Sequence, residues 1–466
     1  MSHLSTASHE QLEQLAERFR AVCESAVDPL EIASALEFDG VSDRAARADY
    51  AVADVFTLAR MLYERVPRRP APPAPEPDPW SATRPLLHGL IYALPAVCFP
   101  AAGALLAGPG VVTALVIALL TGWGLSQGLA AIGYLRLGAS SQDDARRVLR
   151  GGLACCLVAV VLVMAATMFA VRPRPPVVAF GAGEAAYMLG ACVLLVTATE
   201  QWLPVALAPG VTGAVVFLAL GKPADLKYQT WAALAATPLL ACAIAVAVTA
   251  TARSRSAGAG WRAGDGRLPG RSELRDALPA VALGLTAAGL LSFPVVAGAS
   301  GHGGGNVGAL IASVPLALSM GAAEWSLRWY RRAARRLLWL TDDPRWFRSR
   351  ARLLLLAALS QYVSVAIILV GAALGVALLS GQARLGPAVV ASAVGYLLLG
   401  AAMFLVLMLQ TMRVRLVPLV AAAAALAAEI ALRPHGLEVQ VAVPAGLLAV
   451  VGGYALVRMG EAVLHA

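Results

Sequence analysis

Residues 151–171 read GGLACCLVAVVLVMAATMFAV, an apolar run without one charged side chain. Arg146, Arg147 and Arg150 stand before it, and Arg172 and Arg174 follow it. A helix needs about 20 apolar residues to cross the hydrocarbon core of a bilayer. Lipid offers no partner to backbone N–H and C=O groups, so a run of this kind is viable there only as a helix. Runs of the same kind recur along the chain, and they place spans near 86–107, 110–135, 151–171, 177–199, 202–221, 230–251, 277–298, 305–326, 353–380, 387–410, 414–432 and 439–457. The first two are divided only by Gly108-Pro-Gly110, which supplies a tight turn; joined, they would be too long for one span. The expected fold is all-α: a polytopic membrane protein of about 12 transmembrane helices.

Composition agrees with this reading. The 466 residues are 59% apolar and only 14% charged, with a mean hydropathy of +0.71. A soluble domain carries about 25% charged residues, so lipid must be the solvent for much of the chain. Among 37 basic residues only Lys222 and Lys227 are lysines, and with the alanine excess this suggests a high-GC bacterial genome. The net charge of +9 would suggest nucleic acid in a soluble protein. In a membrane protein, arginine clusters instead mark cytoplasmic loops. Loops expected inside hold 22 Arg, against 6 basic residues in those expected outside. Both termini are therefore expected in the cytoplasm of a cell whose inner (plasma) membrane holds the chain. Of six cysteines, five lie in apolar runs and none forms a C-x-x-C pair. Neither a metal site, a disulfide framework nor a cofactor is expected. The polar, acidic first 80 residues lack the pattern of a cleavable signal peptide, leaving the first span as the insertion signal.

Residues 1–66 read as a small helical domain with twelve Asp and Glu against six Arg. Gln11 to Ser25 is one amphipathic segment. Asp28-Pro-Leu-Glu31 is a helix start with Asp as N-cap, Pro in the first turn and Glu placed for a capping box. Ser42 caps a third helix, on which Val52, Val55, Phe56, Ala59, Leu62, Tyr63 and Val66 form an apolar stripe. That stripe needs cover, from the other helices or from the membrane part. Ile32 to Leu58 has a loose helix-turn-helix look, but the domain's negative charge argues against nucleic acid as a partner. A docking or regulatory role is the expectation, with a Pro-rich linker over 67–82.

The polar stretch Ala252 to Asp276 splits the spans six and six. Each half has a Gly-rich outer turn after its first span and a basic segment after its second. The expected organisation is a first six-helix half over 83–251, a basic cytoplasmic linker over 252–276 and a second half over 277–466, related by an axis along the membrane normal.

No catalytic constellation is present, so the chain reads as a non-enzyme. Gly181-Ala-Gly183 sits in an apolar run and reads as close helix packing rather than a dinucleotide loop. Carboxylates in or beside spans are more informative, because a charge in lipid is costly and faces a cavity or a partner. Glu184, Glu324 and Glu429 are therefore candidates for a transport path, Glu324 equally fitting a span boundary. Trp325 to Arg352 carries nine Arg interleaved with aromatics. Beside a span this describes a helix in the headgroup layer, with Arg328, Trp329, Arg331, Arg332, Arg335, Arg336, Trp339 and Trp346 as its membrane-lipid contacts.

The second half has a more specific likeness. Pro315 within the eighth span, Glu324, Tyr330-Arg331 on a long basic helix and Gln361-Tyr362 opening the ninth span resemble the multidrug/oligosaccharidyl-lipid/polysaccharide flippase superfamily, and within it the inner-membrane exporters of the Pel exopolysaccharide type. The region around Glu200-Gln-Trp-Leu is similar too. The resemblance covers roughly 85–460 and adds Gln361 and Tyr362 to the transport-path candidates. It implies a flippase-like transporter or exporter of a polysaccharide or related amphipathic envelope component, working by alternating access between the halves. Its substrate would be a glycan or lipid-linked molecule, and its partner a cytoplasmic glycosyltransferase or regulatory protein. No Arg lies mid-span, which favours a polymer conduit over an anionic lipid-linked cargo. The alternative is a non-transporting membrane scaffold that recruits cytoplasmic partners in envelope growth or development.

Overall fold

The computed structural model describes residues 6–26, 28–67, 91, 94–106, 110–139, 142–250, 270–299, 315–316, 318–339, 344–379, 385–412, 414–432 and 437–460. Contacts divide the chain into two units, Met1–Ser81 and Ala82–Ala466.

The first unit holds five short helices: α1 (Thr6–Arg18), α2 (Arg20–Ser25), α3 (Pro29–Phe38), α4 (Asp43–Tyr50) and α5 (Val55–Arg65). Asp28 caps α3 by accepting the Leu30 N–H at 2.8 Å, and Ser42 caps α4 through Ala45 N–H at 3.4 Å. The single helix expected after Ser42 is two. Ala51 turns the chain through the left-handed region at φ 55. Asp54 then caps α5 through Thr57 N–H at 2.7 Å, while the Asp43 carboxylate holds Val55 N–H at 3.0 Å. The break swings α5 back onto α3. Its stripe is covered within the unit: Val52, Val55, Ala59, Leu62 and Val66 join Leu12, Leu15, Phe19, Ile32 and Leu36 in one buried cluster. Phe56, read as part of the stripe, is instead half exposed.

The second unit is built from α6 (Cys98–Leu105), α7 (Val111–Ala139), α8 (Gln142–Ala170), α9 (Pro175–Val196), α10 (Leu203–Ala219), α11 (Lys227–Ala250), α12 (Arg271–Ala299), α13 (Met320–Trp339), α14 (Pro344–Leu379), α15 (Pro387–Thr411), α16 (Leu416–Ala431) and α17 (Leu437–Arg458). Among the described residues nine helices are long and apolar enough to cross a membrane, and α16 is a shorter apolar helix. These correspond to ten of the twelve expected spans. The other two are described only in part: of the span near 86–107, residue 91 and residues 94–106, the latter a 3-10 turn (Leu94–Val97) and α6, and of the span near 305–326, residues 315–316 and 318–326, which lead into α13. The chain is an all-α, multi-pass membrane protein. Large apolar side chains stand on its surface, among them Phe169, Leu239, Ile368 and Leu379, a surface suited to lipid and costly in water.

Five helix contacts recur in corresponding positions of the two halves, while α7 on α9, the most extensive contact of the first half, has no comparable counterpart between α13 and α15 among the described residues. In the first, α9 lies on α11, α10 on α11, α7 on α8, α8 on α9 and α6 on α10. In the second, the helices in corresponding positions do the same: α15 lies on α17, α16 on α17, α13 on α14, α14 on α15 and α12 on α16. A glycine makes the closest approach in two of these matched pairs. A Cβ on Gly190 of α9 would stand 2.9 Å from the Ala241 backbone of α11, and one on Gly395 of α15 would collide with the Gln440 carbonyl of α17. Among the described residues the one extensive contact between halves is α7 against α12. It too rests on small residues. A Cβ on Gly124 would meet Leu285 at 2.9 Å, one on Gly128 would meet Val281 at 2.6 Å, and one on Gly284 would come within 3.1 Å of the Trp123 carbonyl. Gly124 and Gly128 are one helical turn apart, the G-x-x-x-G arrangement that lets backbones approach in lipid.

Candidate functional site

Buried polar side chains with no partner are the first places to look for chemistry, because an unsatisfied polar atom costs about 1–3 kcal/mol. Glu184 Oε2, Gln361 Oε1 and Glu429 Oε2 are three such atoms, together with Ser326 Oγ. Three of the five transport-path candidates read from the sequence are thus exceptions to polar satisfaction. The structure places them on different helices. Glu184 lies on α9 beside Gly181 and Gly183, which press against Ala118 of α7 and Pro238 of α11; both glycines serve close packing. Gln361 and Tyr362 lie on α14. Tyr362 is buried, stacks on Phe404 with centroids 4.9 Å apart and shares a 3.0 Å hydrogen bond with Ser319. Glu324 pairs with Arg328 one turn along α13.

Glu429 is the most buried of the three candidate carboxylates. It is 1% exposed and lies on the face of α16 that carries buried Pro418, Ala422 and Ala425. Tyr396 of α15 donates its hydroxyl to the Leu291 carbonyl of α12 at 2.9 Å. Ser392, one turn away on α15, donates to Gln440 Oε1 of α17 at 3.4 Å, and Ser292 of α12 donates to Gly289 O at 3.1 Å. Four helices of the second half thus bring Ser292, Ser392, Tyr396, Glu429 and Gln440 to one end of that bundle. Only Glu429 was legible as a candidate. Tyr396 had a signal that was passed over: it is the tenth residue of a helix opening on Pro387, and Glu184 is the tenth of one opening on Pro175.

The basic helix, read in the sequence as lying in the headgroup layer, has two unlike faces. On α13, Arg328, Arg331, Arg332, Arg335 and Arg336 are exposed and Trp329 is half-buried. The opposite face, with Leu327, Tyr330 and Ala334, is buried in the core of the second half. The apolar side of this helix is therefore covered by protein, and only its arginine side is open. Trp346, at the start of α14, is exposed, with the Arg350 guanidinium 5.3 Å above its ring. Trp339 closes α13.

One ion pair was not legible at all. Arg136, near the end of α7, places Nε 2.5 Å from Glu273 Oε1 near the start of α12, and its terminal nitrogen donates to Glu273 Oε2 at 2.9 Å. Glu273 also accepts the Gly270 N–H at 2.9 Å. This ion pair joins the two halves at the end where the loops carry most arginine.

No protein-family model matches the chain, and no curated protein matches it. Among solved structures it is similar to a MATE in complex with Br-NRF, at 16% identity and a TM-score of 0.46 over 81% of this chain and 94% of that one. An outward-facing MATE family transporter of the MOP superfamily gives 16% identity and 0.46 over 82% and 96%. A MOP superfamily transporter from Pyrococcus furiosus gives 15% and 0.44 over 82% and 96%. With TM-scores below 0.5 the likeness is too loose to carry an argument about family. The residues themselves establish an all-α, multi-pass membrane protein of two similarly packed halves.

Proposed function

We propose that this chain is a flippase-like transporter or exporter, working by alternating access between its halves, and that its cargo is a polysaccharide or a related amphipathic envelope component. The observation that carries the mechanism is the set of recurring helix contacts, with one helix pair, α7 and α12, as the extensive contact between the halves. Two bundles of similar packing, joined along a single seam, can rock about that seam without repacking their interiors. Arg136 and Glu273 then hold one end of the seam closed, and opening that end costs their ion pair.

Energy comes from an ion gradient or from a synthase pushing its product, since the sequence carries no ATP-binding motif. Glu184 in the first half and Glu429 in the second are the groups suited to couple an ion, each presenting a bare carboxylate oxygen inside its bundle. The cargo assignment rests on the sequence resemblance alone.

A direct test joins Arg136→Cys to Glu273→Cys with a short bis-thiosulfonate reagent, in a background without the native cysteines. Locking should stop surface polysaccharide from accumulating, and thiol reduction should restore it. Export that continues at full rate in the locked protein refutes the mechanism. The scaffold reading has one observation in its favour, the separate buried core of residues 1–81. If that reading holds, locking is harmless and deletion of residues 1–81 abolishes function.

A further inference from the structure

The groove between α10 and α11 belongs to neither the seam nor the carboxylates. Pro209 lies inside α10 and Pro238 inside α11, and proline bends a helix by removing a backbone hydrogen bond. The two helices touch at mid-length. The Gly210 N–H donates across to Thr237 Oγ1 at 3.1 Å, and a Cβ on Gly213 would meet Ala233 at 2.5 Å. Toward the turn joining them they leave a groove of about 530 Å³, whose lining includes Pro209, Thr212, Val216, Phe217, Leu226 and Ala233. Its volume falls in the range of about 300–1,000 Å³ usual for small-ligand sites.

Two measures fit a lipid tail. From Phe217 to Ala208 the groove follows ten residues of helix, about 13.5 Å for nine rises of 1.5 Å, close to the depth of one leaflet, half of a core about 30 Å thick. Its surroundings are also a lipid-facing surface, since Val215, Val216, Leu220 and Tyr228 are all exposed. At the open end the turn carries Lys222 and Lys227, the chain's two lysines. Both are exposed and neither has an ion-pair partner among the described residues. Asp225 lies between them and is exposed as well. Phe180, on the neighbouring α9, packs edge-on against Trp231 at 6.3 Å, giving this level the aromatic character of a headgroup boundary.

We propose that the α10–α11 groove is a binding site for an anionic phospholipid, one acyl chain lying in the groove and the phosphate held by Lys222 and Lys227. Lysine on a flexible stem is suited to this, reaching a mobile phosphate while its methylenes stay on the apolar rim. The inference does not depend on transport.

The test uses the full-length protein in nanodiscs containing phosphatidylglycerol or phosphatidylcholine with a diazirine on one acyl chain. Crosslinks are mapped to peptides by mass spectrometry. Labelling of 208–233 should favour phosphatidylglycerol by between about 5-fold and 25-fold, at roughly fivefold per lysine less what Asp225 offsets. The double variant Lys222→Gln, Lys227→Gln should bring it down to the phosphatidylcholine level, and Asp225→Asn should raise it. Val216→Trp, at a half-exposed position that does not threaten folding, should fill the groove and remove labelling there while sparing other peptides. Equal labelling by the two lipids, or a preference unchanged by the lysine variants, overturns the proposal.

Discussion

Replacing Arg136 by Gln should shift the balance between conformers toward those open at the Arg136 end of the seam. The arginine and glutamate side chains are 27% and 22% exposed, between the two regimes of ion-pair energetics. A fully exposed pair contributes about 0–1 kcal/mol, while breaking a buried one costs about 3–5 kcal/mol. Solvent screening at roughly a quarter exposure, and the Gly270 N–H that stays on Glu273, place the loss near the lower regime, at about 1–2 kcal/mol. That corresponds to about a 5–30-fold change in the ratio of states. Spin labels at Gln142 of α8 and Arg335 of α13, in purified protein, would report it as growth of the longer of two distance populations. The exchanged pair Arg136→Glu, Glu273→Arg should recover most of the original distribution, because it restores opposite charges at the same two positions. If Arg136→Gln leaves the distribution unchanged, or if the exchanged pair behaves like the single variant, the ion pair is not a latch.

Three further outcomes follow from particular contacts. Gly284→Leu drives a side chain against the Trp123 carbonyl, which cannot move aside as a flexible side chain could; overpacking of about 1–3 kcal/mol should lower the Tm and part α7 from α12, visible as faster hydrogen exchange in both. Glu429→Leu removes a buried carboxylate with a bare oxygen and should raise the Tm, by about 1–3 kcal/mol of relieved cost, while abolishing ion-dependent conformational exchange; an unchanged ion dependence would remove Glu429 from the coupling role. In the first unit, Asp54→Ala should lower stability through the lost cap of α5, read from thermal unfolding of the unit. The Thr57 hydrogen bonds, backbone first, hold the Asp54 carboxyl below its ordinary value. Its contribution is therefore present above the unfolded carboxylate range, near pH 4, and lost as pH falls through the lowered folded value. The Asp54→Ala variant should show a smaller loss of stability on acidification than the parent.

The elements that could be read in advance are those whose physics is local. An uninterrupted apolar run such as 151–171 has one stable form in lipid, and α8 follows directly. Capping is local too, and Asp28 and Ser42 start helices where their side chains reach the next free N–H groups. What could not be read depends on pairing across the chain. Arg136 and Glu273 are 137 residues apart in sequence, and neither stands in a pattern that names the other. Tyr396 gains its importance from the Leu291 carbonyl, on another helix. The break at Ala51 was hidden because Val52 and Val55 keep helical spacing across a turn that is not helical. On α13 the arginines were legible, but the covering of their opposite face by the second half was not.

The claim that the halves rock about the α7–α12 seam is tested most directly by two distances in one protein. Labels at Gln142 and Arg335 report one end of the seam, and labels at Leu220, just after α10, and Leu379 of α14 report the other; all four positions are exposed. In proteoliposomes, with an ion gradient or cargo applied, both pairs should be bimodal and should change in opposite senses, the first widening as the second narrows. Two single distances that stay fixed under every condition would contradict alternating access and leave a rigid membrane scaffold in its place.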